Sequence, residues 1–275
     1  MKFTTLLLLL FIWSSPINAQ ISIEAKLIDA KTKEVIPYAN VGAVELSKGT
    51  VSNAEGYFQL DVNAPDDQLT ISSIGYETMV VKAKEISSVI QLNKMDYELK
   101  EIEVEAKRFG EKKLFGLKNE KRGHSIGFGS AQLGTEIGAV IRIEKPTYIK
   151  SANFVLNHAK GDSLLFRVNI YKIEDGKVGS NLLKENVLIK EKQRKGVIST
   201  DLTKYNLILE SNVLLTLEWL RDFDEIGNKE ITFDTKKSKK LKGTYVKFSS
   251  NGKFRKLPHQ QKRKPCFYFL GKQSQ

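Results

Sequence analysis

Three histidines and one cysteine bound the chemistry open to this 275-residue chain. A zinc hydrolase needs neutral imidazoles and a carboxylate converging on the metal. The histidines are His124, His158 and His259, and three residues after each stand Gly127, Gly161 and Lys262. None therefore begins H-x-x-E, and no H-E-x-x-H occurs. Each histidine reads as a lone surface or loop residue. Cys266 lies in "KPCFYFL", an apolar strand pattern, which points to a buried structural thiol rather than a nucleophile. No metal, cofactor or catalytic residue is expected.

Two further stretches invite a chemical reading. In "RDFDEIGNKE", Asp222 and Asp224 take the first and third positions of a possible calcium loop, and Gly227 the sixth. Ile226 then fills a ligand position, and Phe233 stands where the bidentate glutamate belongs. An EF-hand fails; a weak site in a strand-connecting loop or plain acidic turn residues are left. "GFGSAQ" (127–132) starts like a dinucleotide loop but lacks the third glycine and leads towards strands, whereas that motif opens a helix. There is no G-x-S-x-G elbow and no phosphate-binding P-loop.

The unusual feature is the tail. From Thr235 to Gln275 there are 13 Lys+Arg and no Asp or Glu, with Tyr245, Phe248, Phe254, Phe267 and Tyr268 interleaved. Lys236, Lys237, Lys239, Lys240 and Lys242 precede one expected strand; Lys262, Arg263 and Lys264 precede the last. If adjacent strands bring the clusters together, they form one anion-contacting patch. The alternative is a solvated lysine-rich face. Basic and aromatic mixtures also bind nucleic acid, but no recognition motif of that kind is present, and no nucleic-acid partner is expected.

The elements that carry these residues are strands. Residues 1–19 have the pattern of a signal peptide: Lys2, the apolar run "LLLLLFIW", a "SSP" break, and "INA" ending at Ala19. The run is shorter than the roughly 20 residues that span a bilayer. An exported chain with one cysteine has no internal disulfide, so its cores must hold by apolar burial. Export would set the partners among the anions found outside the cytoplasm. Residues 20–105 hold 8 Lys+Arg against 15 Asp+Glu, a net of −7; residues 106–275 hold 35 against 17, a net of +18. Opposite signs suggest two domains with few shared core contacts.

Apolar and polar residues alternate with period two through most of both regions. Strands are expected near 21–29, 39–46, 56–62, 68–74, 77–82 and 88–92, with a further edge strand at 98–108. Residues 109–125, charged and glycine-bearing, read as the linker. Strands resume at 137–144, 148–157, 164–173, 185–190, 195–201, 206–210, 212–220, 230–234, 243–249 and 265–270. Gly56, ending "SNAEG", is expected to take positive φ in a tight hairpin turn, with Tyr57 and Phe58 on opposite faces of the next strand. Gly75 is expected to let the chain bend so that Tyr76 swings back over the sheet.

"DAKTKEVIPYANV", "GTVSNAEGYFQL" and "LTISSIGYET", in that order and spacing, resemble the carboxypeptidase-like regulatory domain. The resemblance implies a seven-stranded, transthyretin/Ig-like Greek-key β-sandwich, as found at the start of exported proteins of Bacteroidota. Ala25 stands where that family commonly has glycine. "LLFRVNIYKIEDGKVGSNLL", "DLTKYNLIL" and "NVLLTLEWL" resemble the C-terminal β-sandwich that follows this domain in such proteins, without an assigned activity.

The expected whole is all-β: signal peptide 1–19, a first β-sandwich at 20–106, a linker at 107–125, and a jelly-roll-like sandwich at 126–275. Its expected function is a non-enzymatic binding or structural module of the cell envelope, in the periplasm or at the outer membrane. It would meet an envelope protein or glycan, with peripheral membrane contact. The alternatives are a glycan-acting enzyme using Asp222, Asp224 and Glu225, or an accessory subunit of an outer-membrane import barrel.

Overall fold

A computed structural model describes residues 20–95, 109–118, 124–128, 133–159, 164–220, 231–238, 243–257 and 263–275. The chain is all-β, with no α-helix among the described residues. The signal-peptide segment and the strand expected at 98–108 lie outside them.

Among the described residues, seven strands make two sheets in the first part: β1 (Ile21–Asp29), β2 (Asn40–Ala43), β3 (Lys48–Val51), β4 (Tyr57–Val62), β5 (Gln68–Ser72), β6 (Met79–Lys82) and β7 (Val89–Leu92). One sheet runs β4-β1-β7, with β1 antiparallel to β4 and parallel to β7. The other runs β3-β2-β5-β6. The cause is visible in β4, "YFQLDV": Phe58, Leu60 and Val62 are buried, while Tyr57, Gln59 and Asp61 are exposed. Leu27, Val41, Leu69, Ile71 and Leu92 join them, so both sheets feed one apolar cluster.

The "SNAEG" turn differs from a hairpin. It carries the chain from β3 in one sheet to β4 in the other. Gly56 stands at φ = 80°, and its N–H donates to Asn53 O (3.1 Å). The Asn53 side chain accepts from the N–H groups of Glu55 (3.1 Å) and Tyr57 (2.9 Å). Leu27 N–H donates to Gly56 O (2.9 Å), anchoring the turn to β1. Gly75 has φ = 88°. The Tyr76 hydroxyl beside it donates to Asp29 Oδ2 (3.1 Å).

The second part begins earlier than the linker reading allows. β8 (Phe109–Gly116) is a strand, although 109–125 lacks alternation. It lies at a sheet edge, where pairing depends on backbone groups and charged side chains such as Glu111, Lys112 and Lys113 can face water. Fourteen further strands follow: β9 (Ser125–Phe128), β10 (Glu136–Ile141), β11 (Thr147–Ala159), β12 (Leu164–Glu174), β13 (Lys177–Asn181), β14 (Val187–Glu191), β15 (Gly196–Asp201), β16 (Ile208–Leu209), β17 (Val213–Trp219), β18 (Ile231–Lys237), β19 (Thr244–Lys247), β20 (Arg255–Lys256), β21 (Arg263–Pro265) and β22 (Phe267–Ser274).

One sheet runs β13-β12-β17-β10-β19-β20, with β14 also on β12. The other runs β21-β18-β11-β22-β8, with β15 and β16 on β11 and β9 on β18; this part includes a curled half-barrel sheet. Two register shifts interrupt the pairing of β11, at Ile149/Ser151 against β22 and at Leu156/His158 against β18. Phe154, Phe166, Phe233, Phe267 and Trp219 fill the space between the sheets.

The two parts share a seam, contrary to the expectation of few common contacts. Val51 packs with Leu165 and Leu220, with Tyr38 and Leu133 alongside. The turn at Ser250–Asn251 reaches into the first part. Asn251 Nδ2 donates to Thr70 O (2.7 Å) and Asn40 O (3.2 Å), and its Oδ1 accepts from the Ser72 hydroxyl (2.6 Å). A Cβ on Gly42 would stand 2.2 Å from Ser250 O, and one on Gly49 2.8 Å from Ser250 N. Only glycine lets the backbones approach this closely. Opposite net charge therefore did not keep the parts separate.

Candidate functional site

Of the predicted cations, the described ones converge. β18 and β21 pair antiparallel, setting Lys236 opposite Lys264 and Lys237 opposite Arg263. Residues 28 and 26 apart in sequence thus become neighbours. Lys236 and Lys237 are exposed and Arg263 is half-buried. Lys264 departs from the expected surface role: it is 4% exposed. Lys239, Lys240, Lys242 and Lys262 lie outside the described residues, as do His259 and the acids Asp222, Asp224 and Glu225.

A cavity of ≈ 370 Å³ opens beside this strand pair, lined by Arg142, Lys237, Lys264, Ile141, Leu117 and Pro265 among others. Lys264 Nζ donates to Val140 O at 3.3 Å. Burial, and next the charge of Lys256, push the Lys264 amine down to about 8. Arg142 already has an acid, Glu144, at 2.9 Å.

A second polar constellation, missed in the sequence, lies under the seam. Register aligns Arg167 with Glu218, Glu218 with Glu136, and Glu136 with Lys247, a row across four adjacent strands. Arg167 donates to Glu218 Oε2 through Nε (2.8 Å) and Nη2 (2.7 Å). Its Nη1 donates to Tyr38 O (2.7 Å) in the first part and to Asn186 Oδ1 (3.0 Å). Asn169 Nδ2 adds a bond to Glu218 Oε2 (3.0 Å). Glu136 pairs with Lys247 and accepts from the Tyr171 (3.0 Å) and Thr216 (2.6 Å) hydroxyls. Burial raises the Glu218 carboxyl, but the charges of Arg167 and Lys247 overcome it, leaving it below the usual range. The Tyr171 hydroxyl is pushed well above 10 by burial and by the Glu136 charge.

The row has two cations and two anions, each buried charge with an opposite neighbour, as burial requires. Its visible signal was a single charge inside an apolar strand: Arg167 in "LLFRVNI" and Glu218 in "LLTLEWL". Such a residue must find its partner on an adjacent strand, and one sequence does not say which.

The remaining candidates stay apart. His124 and His158 are exposed, and Cys266 is buried with Val155 and Tyr268. Among the described residues no group of three His, Cys, Asp or Glu could hold a metal.

Residues 23–107 match the CarboxypepD_reg-like domain, under half of the chain. No curated protein matches the chain. The chain thus carries a CarboxypepD_reg-like domain at 23–107, followed by a further β-rich region of unassigned function.

Proposed function

We propose that this protein is an exported, non-enzymatic binding module of a bacterial cell envelope, contacting envelope anions through the basic strands β18 and β21. The carrying observation is their register, which joins the two basic clusters of a tail containing no acid. The module works in the periplasm or at the outer membrane, beside an envelope protein or glycan. Each part is read as a β-sandwich, the first a transthyretin-like Greek key and the second jelly-roll-like. The apolar cluster shared by each pair of sheets supports that reading.

A second reading, a glycan-acting enzyme, draws on Glu136 and Glu218, adjacent on neighbouring strands beneath a cleft. Glycoside hydrolysis needs one carboxyl with a raised pKa to protonate the leaving oxygen. Glu218 is held down, and Glu136 is committed to Lys247, Tyr171 and Thr216. Binding is therefore the better reading.

The test is co-sedimentation with lipopolysaccharide vesicles as salt rises and the screening length falls from about 30 Å at 0.01 M to about 8 Å at 0.15 M. Binding should weaken across that range. It should be lost when Lys236, Lys237, Lys239, Lys240, Lys242, Lys262, Arg263 and Lys264 become glutamine. Equal sedimentation of both proteins at low salt contradicts the reading.

A further inference from the structure

We propose that the cleft under the seam is a binding site for an uncharged saccharide, whose hydroxyls meet Glu218, Asn169 and Asn181 and whose ring lies against Phe254. This rests on the binding-module reading above but not on its basic strands.

The cleft, ≈ 350 Å³, falls in the range of small-ligand sites, roughly 300–1,000 Å³. Its floor is one face of the sheet that holds β12, β17, β10 and β19. Phe166, Val168, Leu215 and Leu217 point from β12 and β17 into the apolar core. Alternation therefore turns Arg167, Asn169, Tyr171 and Glu218 to the opposite face, where they line the cleft. Asn40, Ser72 and Ser73 wall it from the first part, so both parts build it.

The floor holds hydrogen-bonding groups that the protein leaves unused. Glu218 is 1% exposed, and its Oε1 has no donor among the described residues. A buried carboxylate oxygen without a donor is costly, and a ligand or water must supply one. Asn169 Nδ2 donates to Glu218 Oε2 (3.0 Å) and Asn181 Nδ2 to Asn169 Oδ1 (2.9 Å). Each amide nitrogen has two N–H groups and spends one of them here. The cleft thus presents a bare acceptor beside spare donors. Hydroxyl groups donate and accept, and so answer both.

Charge and shape narrow the class. Arg167, Glu218, Glu136 and Lys247 cancel on this face, so a charged ligand would bring an unpaired charge over a balanced row. Phe254 lines the cleft, its ring 5.1 Å from that of Tyr171, and the Lys247 ammonium lies 5.7 Å from its centre. An aromatic wall beside convergent polar groups suits a molecule with an apolar ring face and hydroxyls at its rim, which is a sugar.

Calorimetric titration of the protein with maltose, cellobiose and N,N′-diacetylchitobiose should show one saturable site for at least one of them. Phe254→Ala should weaken it at least tenfold, and Tyr57→Ala, an exposed aromatic elsewhere on the first part, should change it less than twofold. Raising salt from 0.01 to 0.15 M should change it less than twofold, because no net charge is matched. If Phe254→Ala fails to fold, the native protein still decides: the bound sugar should slow amide hydrogen exchange across 251–254. Saturation by none of the three sugars, equal binding by Phe254→Ala, unchanged exchange, or steep salt dependence overturns the site; in the first case the cleft holds water only. A neutral Gly-Ser-Gly peptide that binds where the sugars do not overturns the saccharide assignment. Lipopolysaccharide vesicle binding without disaccharide binding defeats this cleft and leaves the basic strands intact, whereas disaccharide binding without vesicle binding supports the cleft and defeats the basic strands.

Discussion

Gly56 and Lys264 each hold a conformation or charge that their surroundings constrain. At Gly56, φ is 80°, and an added Cβ would stand 2.8 Å from Leu27 O. Gly56→Val should therefore destabilise the protein by about 1–3 kcal/mol, because a β-branched residue at positive φ is strained. A thermal melt checks this, and an unchanged midpoint would remove the turn from the account. Lys264 makes a prediction in pH. Its amine titrates near 8 in the fold and near 10.5 when free. Between these values the unfolded chain binds the extra proton, so stability should rise with pH. Among the described residues, the charge that acts on it is the Lys256 ammonium, a cation, which lowers the amine further and leaves the sign unchanged. Denaturant midpoints from pH 8 to 10.5 should climb more in the native protein than in Lys264→Met. Parallel curves would mean the amine is not shifted.

Among the elements, the row Arg167–Glu218–Glu136–Lys247 ties four strands together and, through Arg167, touches Tyr38 of the first part. Removing one member leaves a buried charge alone. Glu218→Leu should cost about 3–5 kcal/mol, whereas Arg167→Met with Glu218→Leu should cost clearly less, since no charge is then orphaned. Denaturant unfolding of both variants checks this; additive losses would contradict it. The same strands show what was legible in advance. β4 and β12 alternate or run apolar, so period two located them. β3, β20 and β21 are too short for a period to register, and β8 is a charged edge strand paired through its backbone. Period two puts Leu165, Arg167, Asn169 and Tyr171 on one face of β12. That Arg167 and Asn169 would be buried was not legible, because what covers them comes from over 100 residues away.

For the whole molecule, the seam sets how the basic strands are presented. Gly42 and Gly49 close around Ser250, in the same 13-cation tail that supplies β21. The tail is thus partly structural: Lys247 pairs with Glu136 inside the fold and Lys264 lies in a cavity, leaving Lys236, Lys237 and Arg263 as its described outward cations on the paired strands. Self-repulsion among them is relieved by a counter-charged surface. That the basic clusters were expected, but not their division into surface and pocket, follows from the sequence carrying charge without depth. The most direct measurement is amide hydrogen exchange of the protein with and without lipopolysaccharide vesicles at low salt. The account predicts slowed exchange concentrated in Ile231–Lys237 and Arg263–Pro265, reversed by 0.15 M salt. Protection confined to the CarboxypepD_reg-like domain, or none in either strand while the protein remains on the vesicles, would contradict it.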